Sequence, residues 1–287
     1  MTHPADQLSR AILEKGTAAC VGIDPDPDRL PERVRTRPGC HAEDVRTFCL
    51  GVIDAVADVV GVVKPQSACF ERFGSLGYGV LEDVVARARE RGLVVILDAK
   101  RGDIDSSAAH YAHGAAAMGA HWITVSPYMG PSTIEPFLEA GLGVFALCRT
   151  SNADSGRLQA LDAGGRTLAE RTGEMLAEMG QSRMGACGLS AVGAVVGATR
   201  RAGEVARLRA LMPDTVFLAP GFGAQGGTLA ELSPMRRPGA SDAAGLGVVV
   251  NASRSVLYPK PVGADWQAAV RTAALDLVRD LSALEHC

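Results

Sequence analysis

The feature that most constrains this chain is a succession of eight short apolar runs, separated by segments that are mostly long enough for a helix. The runs cover residues 18–24, 59–64, 93–100, 122–127, 143–150, 193–199, 216–220 and 247–253. Runs such as LVVILDAK and GVVVNAS are apolar nearly throughout instead of alternating, as in strands buried on both faces of a parallel sheet. Helical patterning fits residues 43–58, 79–91, 106–118, 158–179, 201–211 and 264–285, and a further helix is expected near the N-terminus. No Pro/Gly/Ser linker divides the 287 residues. The pattern predicts an α/β fold, a (β/α)8 TIM barrel forming a single domain over residues 1–287. A doubly wound open sheet is the alternative, since one strand more or fewer would suit it.

Composition narrows the partners. Lys plus Arg number 29 against 32 for Asp plus Glu, a net charge of −3. Such a chain carries no electrostatic footprint for nucleic acid or an anionic membrane. Seven cysteines without a CxxC pair point to reduced thiols and a cytoplasmic protein. No apolar run approaches the roughly 20 residues needed to span a bilayer. Only Lys15, Lys64, Lys100 and Lys260 are lysines, all other cations being arginine. Lys64 and Lys100 are therefore marked as positions that need a compact, titratable ammonium.

Polar residues gather where the predicted strands end. The first ends in Asp24, the second in Lys64, the third in Asp98 and Lys100, and the fifth runs into Thr150 and Ser151. The seventh runs into Pro220 and Gly221, the eighth into Ser253 and Arg254. In a barrel this rim is where catalytic groups collect. Strand alternation places Val94, Ile96, Asp98 and Lys100 on one face, with Asp103 just beyond. Two carboxylates beside Lys100 would keep it protonated and suited to general-acid work. A structural ion pair at the barrel mouth is the plainer reading of the same residues.

Residues 219–228, APGFGAQGGT, present Gly221, Gly223 and Gly226 in G-x-G-x-x-G spacing, with Asp242 further on. A dinucleotide site needs that motif between a strand and a clean helix, whereas here a long Gly/Pro-rich segment follows. A single phosphate fits better, with backbone amides and Arg254 as its cradle. The segments Pro25–Pro38 and 221–245 exceed simple connections, and a lid loop is expected at about 221–245. His110 and His113 read as helix-surface residues, the Met and aromatic residues as core, and Trp266 as packing for a C-terminal helix. No metal site is expected.

These residues resemble the orotidine 5′-phosphate decarboxylase family. DAKRGDI at 98–104 is similar to its D-x-K-x-x-D-I motif. PGFGAQGG at 220–227 resembles its phosphate-gripping loop, and NASRSVLY at 251–258 its final phosphate-binding turn. GIDP at 22–25, VVKPQ at 62–66 and CRTSN at 148–152 fit its other strand ends in order. The length, PYMG at 127–130 and VKPQSACFE at 63–71 are most like the longer bacterial subgroup.

The resemblance implies a cofactor-free homodimer that converts orotidine 5′-monophosphate to UMP and carbon dioxide. It implies that Lys100 protonates C6, that Asp98 lies beside the departing carboxylate, and that Asp103 and Ile104 come from the partner subunit. Asp24 and Lys64 would hold ribose hydroxyls, and Gln225 and Arg254 the phosphate, with Pro220 and Ser253 lining the site. Ser151 would meet the pyrimidine, with Thr150 as the neighbouring alternative. Two rivals are a Mg²⁺-dependent sugar-phosphate barrel and a non-catalytic nucleotide-binding barrel.

Overall fold

A computed structural model describes residues 2–36, 41–197, 202–222, 228–259 and 265–286. Eight parallel strands close into a barrel in sequence order, so the open-sheet alternative is excluded. They are β1 (Ala19–Ile23), β2 (Val62–Pro65), β3 (Val94–Arg101), β4 (Trp122–Val125), β5 (Gly143–Arg149), β6 (Val192–Val196), β7 (Phe217–Pro220) and β8 (Val248–Ala252). Closure comes from β1 lying against β8, with Cys20 opposite Asn251.

Each strand is apolar on both faces because each face meets a different layer. Val21, Ile23, Val63, Val95, Leu97 and Ile123 belong to the cluster shared with the surrounding helices. Cys20, Val62, Val94, Ile96, Trp122, Phe145, Leu218 and Val249 form the second cluster, the lower filling of the barrel. Trp122 and Phe145 stack there with ring centroids 4.5 Å apart. The helix Pro4–Lys15 closes the N-terminal end, adding Ala5, Leu8, Ala11 and Ile12 to that filling. With the bottom plugged by apolar side chains, the C-terminal end of the barrel is left open for polar chemistry.

The long helices are Ala42–Val56, Gly74–Glu90, Asp105–Met118, Leu168–Gly180, Ala202–Leu211 and Trp266–Ser282. The expected helix 158–179 is two helices, Gly156–Gln159 and Leu168–Gly180. Between them Asp162 accepts the amide of Gly165 in a turn, and Thr167 with Glu170 forms a capping box that restarts the helix. Trp266 packs as expected, 5.2 Å from Phe48. The reading of aromatic and Met residues as core holds for Phe48, Phe70, Phe137, Phe145 and Phe217 but not for Tyr128, which is 80 % exposed, or its neighbour Met129.

Candidate active site

A cleft of about 760 Å³ opens at the C-terminal ends of the strands. Its lining includes Asp24, Lys64, Asp98, Lys100, Ser151, Pro220, Ser253 and Arg254, all singled out from the sequence. The inward positions that are apolar low in the barrel become polar here, as Ile96 gives way to Asp98 and Val62 to Lys64 along the same strand faces.

Asp98 is the centre of the arrangement. Its Oδ2 accepts from Lys64 Nζ at 2.5 Å and Gln66 Nε2 at 3.0 Å. Its Oδ1 accepts from Lys100 Nζ at 2.6 Å and Thr124 Oγ1 at 2.9 Å. Lys64 is 3 % exposed and Asp98 7 %, so water screens this pair little. Burial works against the charge of Asp98, but the two ammonium groups and their hydrogen bonds outweigh it and hold the carboxyl well below the ordinary range. Burial likewise works against the Lys64 ammonium, while Asp98 and Asp24 raise its hold on the proton above that of an ordinary lysine. Both groups are charged at neutral pH. Asp24 lies 3.9 Å from Lys64, and its buried Oδ1 has no hydrogen-bond partner among the described residues.

Lys100 reaches Asp98 from two residues along the same strand through an unusual backbone. It has φ of 46°, the one positive value at a non-glycine residue among the described residues. The strand bulges there, since Leu97 pairs with Ile123 but Arg101 with Val125. The cost of that conformation falls on the residue that the sequence marks for chemistry, a common location for stored strain.

The opposite wall is prepared differently. Arg149, fully buried at the end of β5, donates to Glu204, Ser155, Gln159 and the carbonyl of Thr150. Gln159 Oε1 accepts the amide of Thr150, whose hydroxyl also bonds Asn152 at 2.6 Å. Ser151 has no such bond among the described residues and lies on the cleft. A side chain at Gly22 would collide with Ser253 Oγ and lie 3.0 Å from Asn251 Oδ1, so glycine is what lets β8 present those groups. Tyr258 accepts the amide of Asp26 at 2.6 Å and carries the Arg29 guanidinium over its ring at 4.3 Å. The 25–36 segment is thereby pinned beside the turn that carries Arg254.

Other expectations fall elsewhere. Asp103 is half-buried, outside the cleft lining, with Oδ1 accepting the amide of Ile104; the structure does not bring it to Lys100 within its own chain. Ile104 is 57 % exposed. Gln225, Gly223 and Gly226 lie outside the described residues. Asp242 caps a local turn by accepting the amide of Gly245, which ends its part in a dinucleotide motif. Within 221–245, Thr228 opens the short helix Leu229–Leu232, and Met235 is buried with its carbonyl bound by Arg209. His110 and His113 are exposed on the helix Asp105–Met118. Among the described residues no three His, Cys, Asp or Glu side chains converge as a metal site, and no helix is long and apolar enough to cross a membrane. Gln66, Arg149 and Asn251 fall within the segments that carry the resemblance but receive no role from the sequence, and Thr124 lies outside those segments: threonine and asparagine in a strand, or glutamine after one, declare no role without the register.

Fold and site together define a (β/α)8-barrel enzyme whose cleft converges two lysines on one buried carboxylate. A sequence model of the orotidine 5′-phosphate decarboxylase / HUMPS family matches residues 20–269. An orotidine 5′-phosphate decarboxylase of Rhodopirellula baltica is 40 % identical over 302 residues, covering 96 % of this chain and 98 % of the relative. That of Aromatoleum aromaticum is 44 % identical over 282 residues, covering 96 % of each chain. The structure of the Leishmania donovani OMP decarboxylase superposes with a TM-score of 0.80 at 32 % identity, over 100 % of both chains. The chain belongs to the orotidine 5′-phosphate decarboxylase / HUMPS family.

Proposed function

We propose that the chain decarboxylates orotidine 5′-monophosphate to UMP and carbon dioxide, in de novo pyrimidine synthesis, without a metal or organic cofactor. The observation that carries this reading is the Lys64–Asp98–Lys100 array, with Lys100 half-exposed to the cleft and Asp98 charged beneath it.

The bond from C6 to the carboxylate breaks with its electron pair left on C6, and carbon dioxide departs. The resulting carbanion has no ring position over which to spread its charge, so stabilisation comes from preorganised cations. Lys100 lies over C6 and delivers its proton there, leaving a neutral amine that regains a proton from solvent. Asp98 sits beside the substrate carboxylate and orients Lys100, while Lys64 keeps Asp98 ionised. Asp24 and Lys64 hold ribose hydroxyls, and the orphaned Asp24 Oδ1 is an acceptor suited to one of them. Ser151 meets the pyrimidine, supported by the engagement of the Thr150 hydroxyl elsewhere. Arg254 and Gln225 take the phosphate, with Pro220 and Ser253 at the wall. Phosphate contacts far from C6 contribute by ordering the closed complex around the reacting ring.

The protein acts as a homodimer in which Asp103 and Ile104 complete the partner's cleft. Their placement outside their own cleft, with Ile104 exposed, supports this arrangement. A spectrophotometric assay of orotidine 5′-monophosphate with and without EDTA tests the reading. Turnover unaffected by EDTA is expected; activity lost to EDTA and restored by Mg²⁺ would favour the sugar-phosphate rival.

A further inference from the structure

The bulge in β3 leaves three residues, Asp98, Ala99 and Lys100, facing the single residue Thr124 of β4. A regular parallel ladder cannot serve the Lys100 amide at that point. Instead, the Lys100 N–H donates to Thr124 Oγ1 at 2.9 Å. A hydroxyl has one proton to give, and Thr124 directs it to Asp98 Oδ1, also at 2.9 Å. The same Oδ1 receives the Lys100 ammonium at 2.6 Å. The contacts form a closed ring from the Lys100 backbone through Thr124 and Asp98 back to the Lys100 side chain. Thr124 is 1 % exposed and sits on the floor of the cleft, with both of its hydroxyl contacts made within the protein.

We propose that Thr124 is the positioning residue of the proton donor: its hydroxyl holds Lys100 in the left-handed conformation and orients the carboxylate that aims the ammonium. The strained backbone of Lys100 has no glycine to ease it, so something must hold it there. One hydroxyl bonded at both ends does so, and its branched carbon restricts the side chain to few rotamers in a strand. Valine has nearly the same shape and neither bond. Serine has the bonds without the methyl group.

The proposal rests on the decarboxylase reading for its kinetic test, and a structural measurement separates the two. Thr124→Val is expected to lower kcat on orotidine 5′-monophosphate by about 10²-fold, the scale of an ångström-sized misplacement of a catalytic group. UMP affinity, read by calorimetry, should stay within about threefold, because UMP has no carboxylate and no developing charge at C6 to be served by Lys100. Thr124→Ser should recover most of the lost kcat. If the valine variant does not fold, Thr124→Ala carries the same expectations. Crystal structures of wild type and variant should show Lys100 leaving its positive φ, or its Nζ leaving Asp98, once the hydroxyl is gone. Wild-type kcat in the valine variant, a loss of UMP affinity matching the loss of kcat, a serine variant no better than valine, or an unmoved Lys100 would each overturn the proposal. A wild-type protein inert toward orotidine 5′-monophosphate would instead overturn the functional reading, and the crystallographic comparison would still decide the role of Thr124.

Discussion

Lys64 and Asp98 form a 2.5 Å ion pair at a depth where both side chains are almost closed to water. Such a pair offers little net stability over an apolar replacement, but removing one member strands a buried charge at a cost of about 3–5 kcal/mol. The pair is better understood as a fixed electrostatic element beneath Lys100 than as a brace for the barrel. Asp98→Asn should therefore lose stability toward urea as well as turnover, since Lys64 would keep a single carboxylate partner, the more distant Asp24.

The same pair sets a pH dependence. Asp98 is held below its unfolded value near pH 3.9, so its contribution is present above that pH and fades as pH falls further. Lys64 is held above its unfolded value near 10.4, so its contribution is present below that pH and fades as pH rises past it. Urea unfolding of wild type and Asp98→Asn across pH 3–6 should show the difference in stability shrinking toward the acid end. A constant difference would mean that the native carboxyl is not depressed.

Gly22→Ala should disturb the site more than its size suggests. The added methyl group, near the end of β1, meets Ser253 Oγ and Asn251 Oδ1, so the Ser253 side chain must shift. Overpacking of this kind costs about 1–3 kcal/mol, and the displaced Ser253 adjoins Arg254. A lower Tm with a raised KM is expected; an unchanged KM would separate Ser253 from the substrate site.

Arg254→Ala should raise KM for orotidine 5′-monophosphate by about 10–100-fold, as expected for loss of a charge-assisted phosphate contact. Turnover of orotidine, which lacks the phosphate, should change far less. Equal damage to both substrates would remove Arg254 from the phosphate.

The proposed sharing of active sites between subunits predicts complementation. Mixtures of Lys100→Ala with Asp103→Ala, after subunit exchange verified by mass spectrometry, should form heterodimers with one intact site. Random pairing gives up to roughly one quarter of wild-type activity by symmetry. Verified heterodimers without activity would keep Asp103 in its own subunit's site.

The barrel was legible because buried parallel strands write themselves as continuous Val/Ile runs, and all eight appear where such runs stand. Asp98 and Lys100 were legible for the same reason, as charges at the end of an apolar face. The interruption at 160–167 was visible in principle in the paired glycines 164 and 165, but amphipathic residues on both sides masked it. Thr124 and Arg149 were not legible. Threonine in WITV reads as ordinary β-propensity, and its role depends on a register shift that no single strand reveals. Arginine in an arginine-rich chain gives no hint that it is buried and holding the Thr150 carbonyl.

In the proposed reaction Lys100 supplies the proton to C6 from its place on Asp98. The most direct test compares wild type with Lys100→Ala for conversion of orotidine 5′-monophosphate to UMP, with UMP affinity and Tm measured on both. The variant should keep its fold and bind UMP, yet lose at least about 10²–10⁴ in kcat, the usual worth of a positioned proton donor before its charge is counted. A folded, UMP-binding Lys100→Ala protein with kcat near that of wild type would contradict the account.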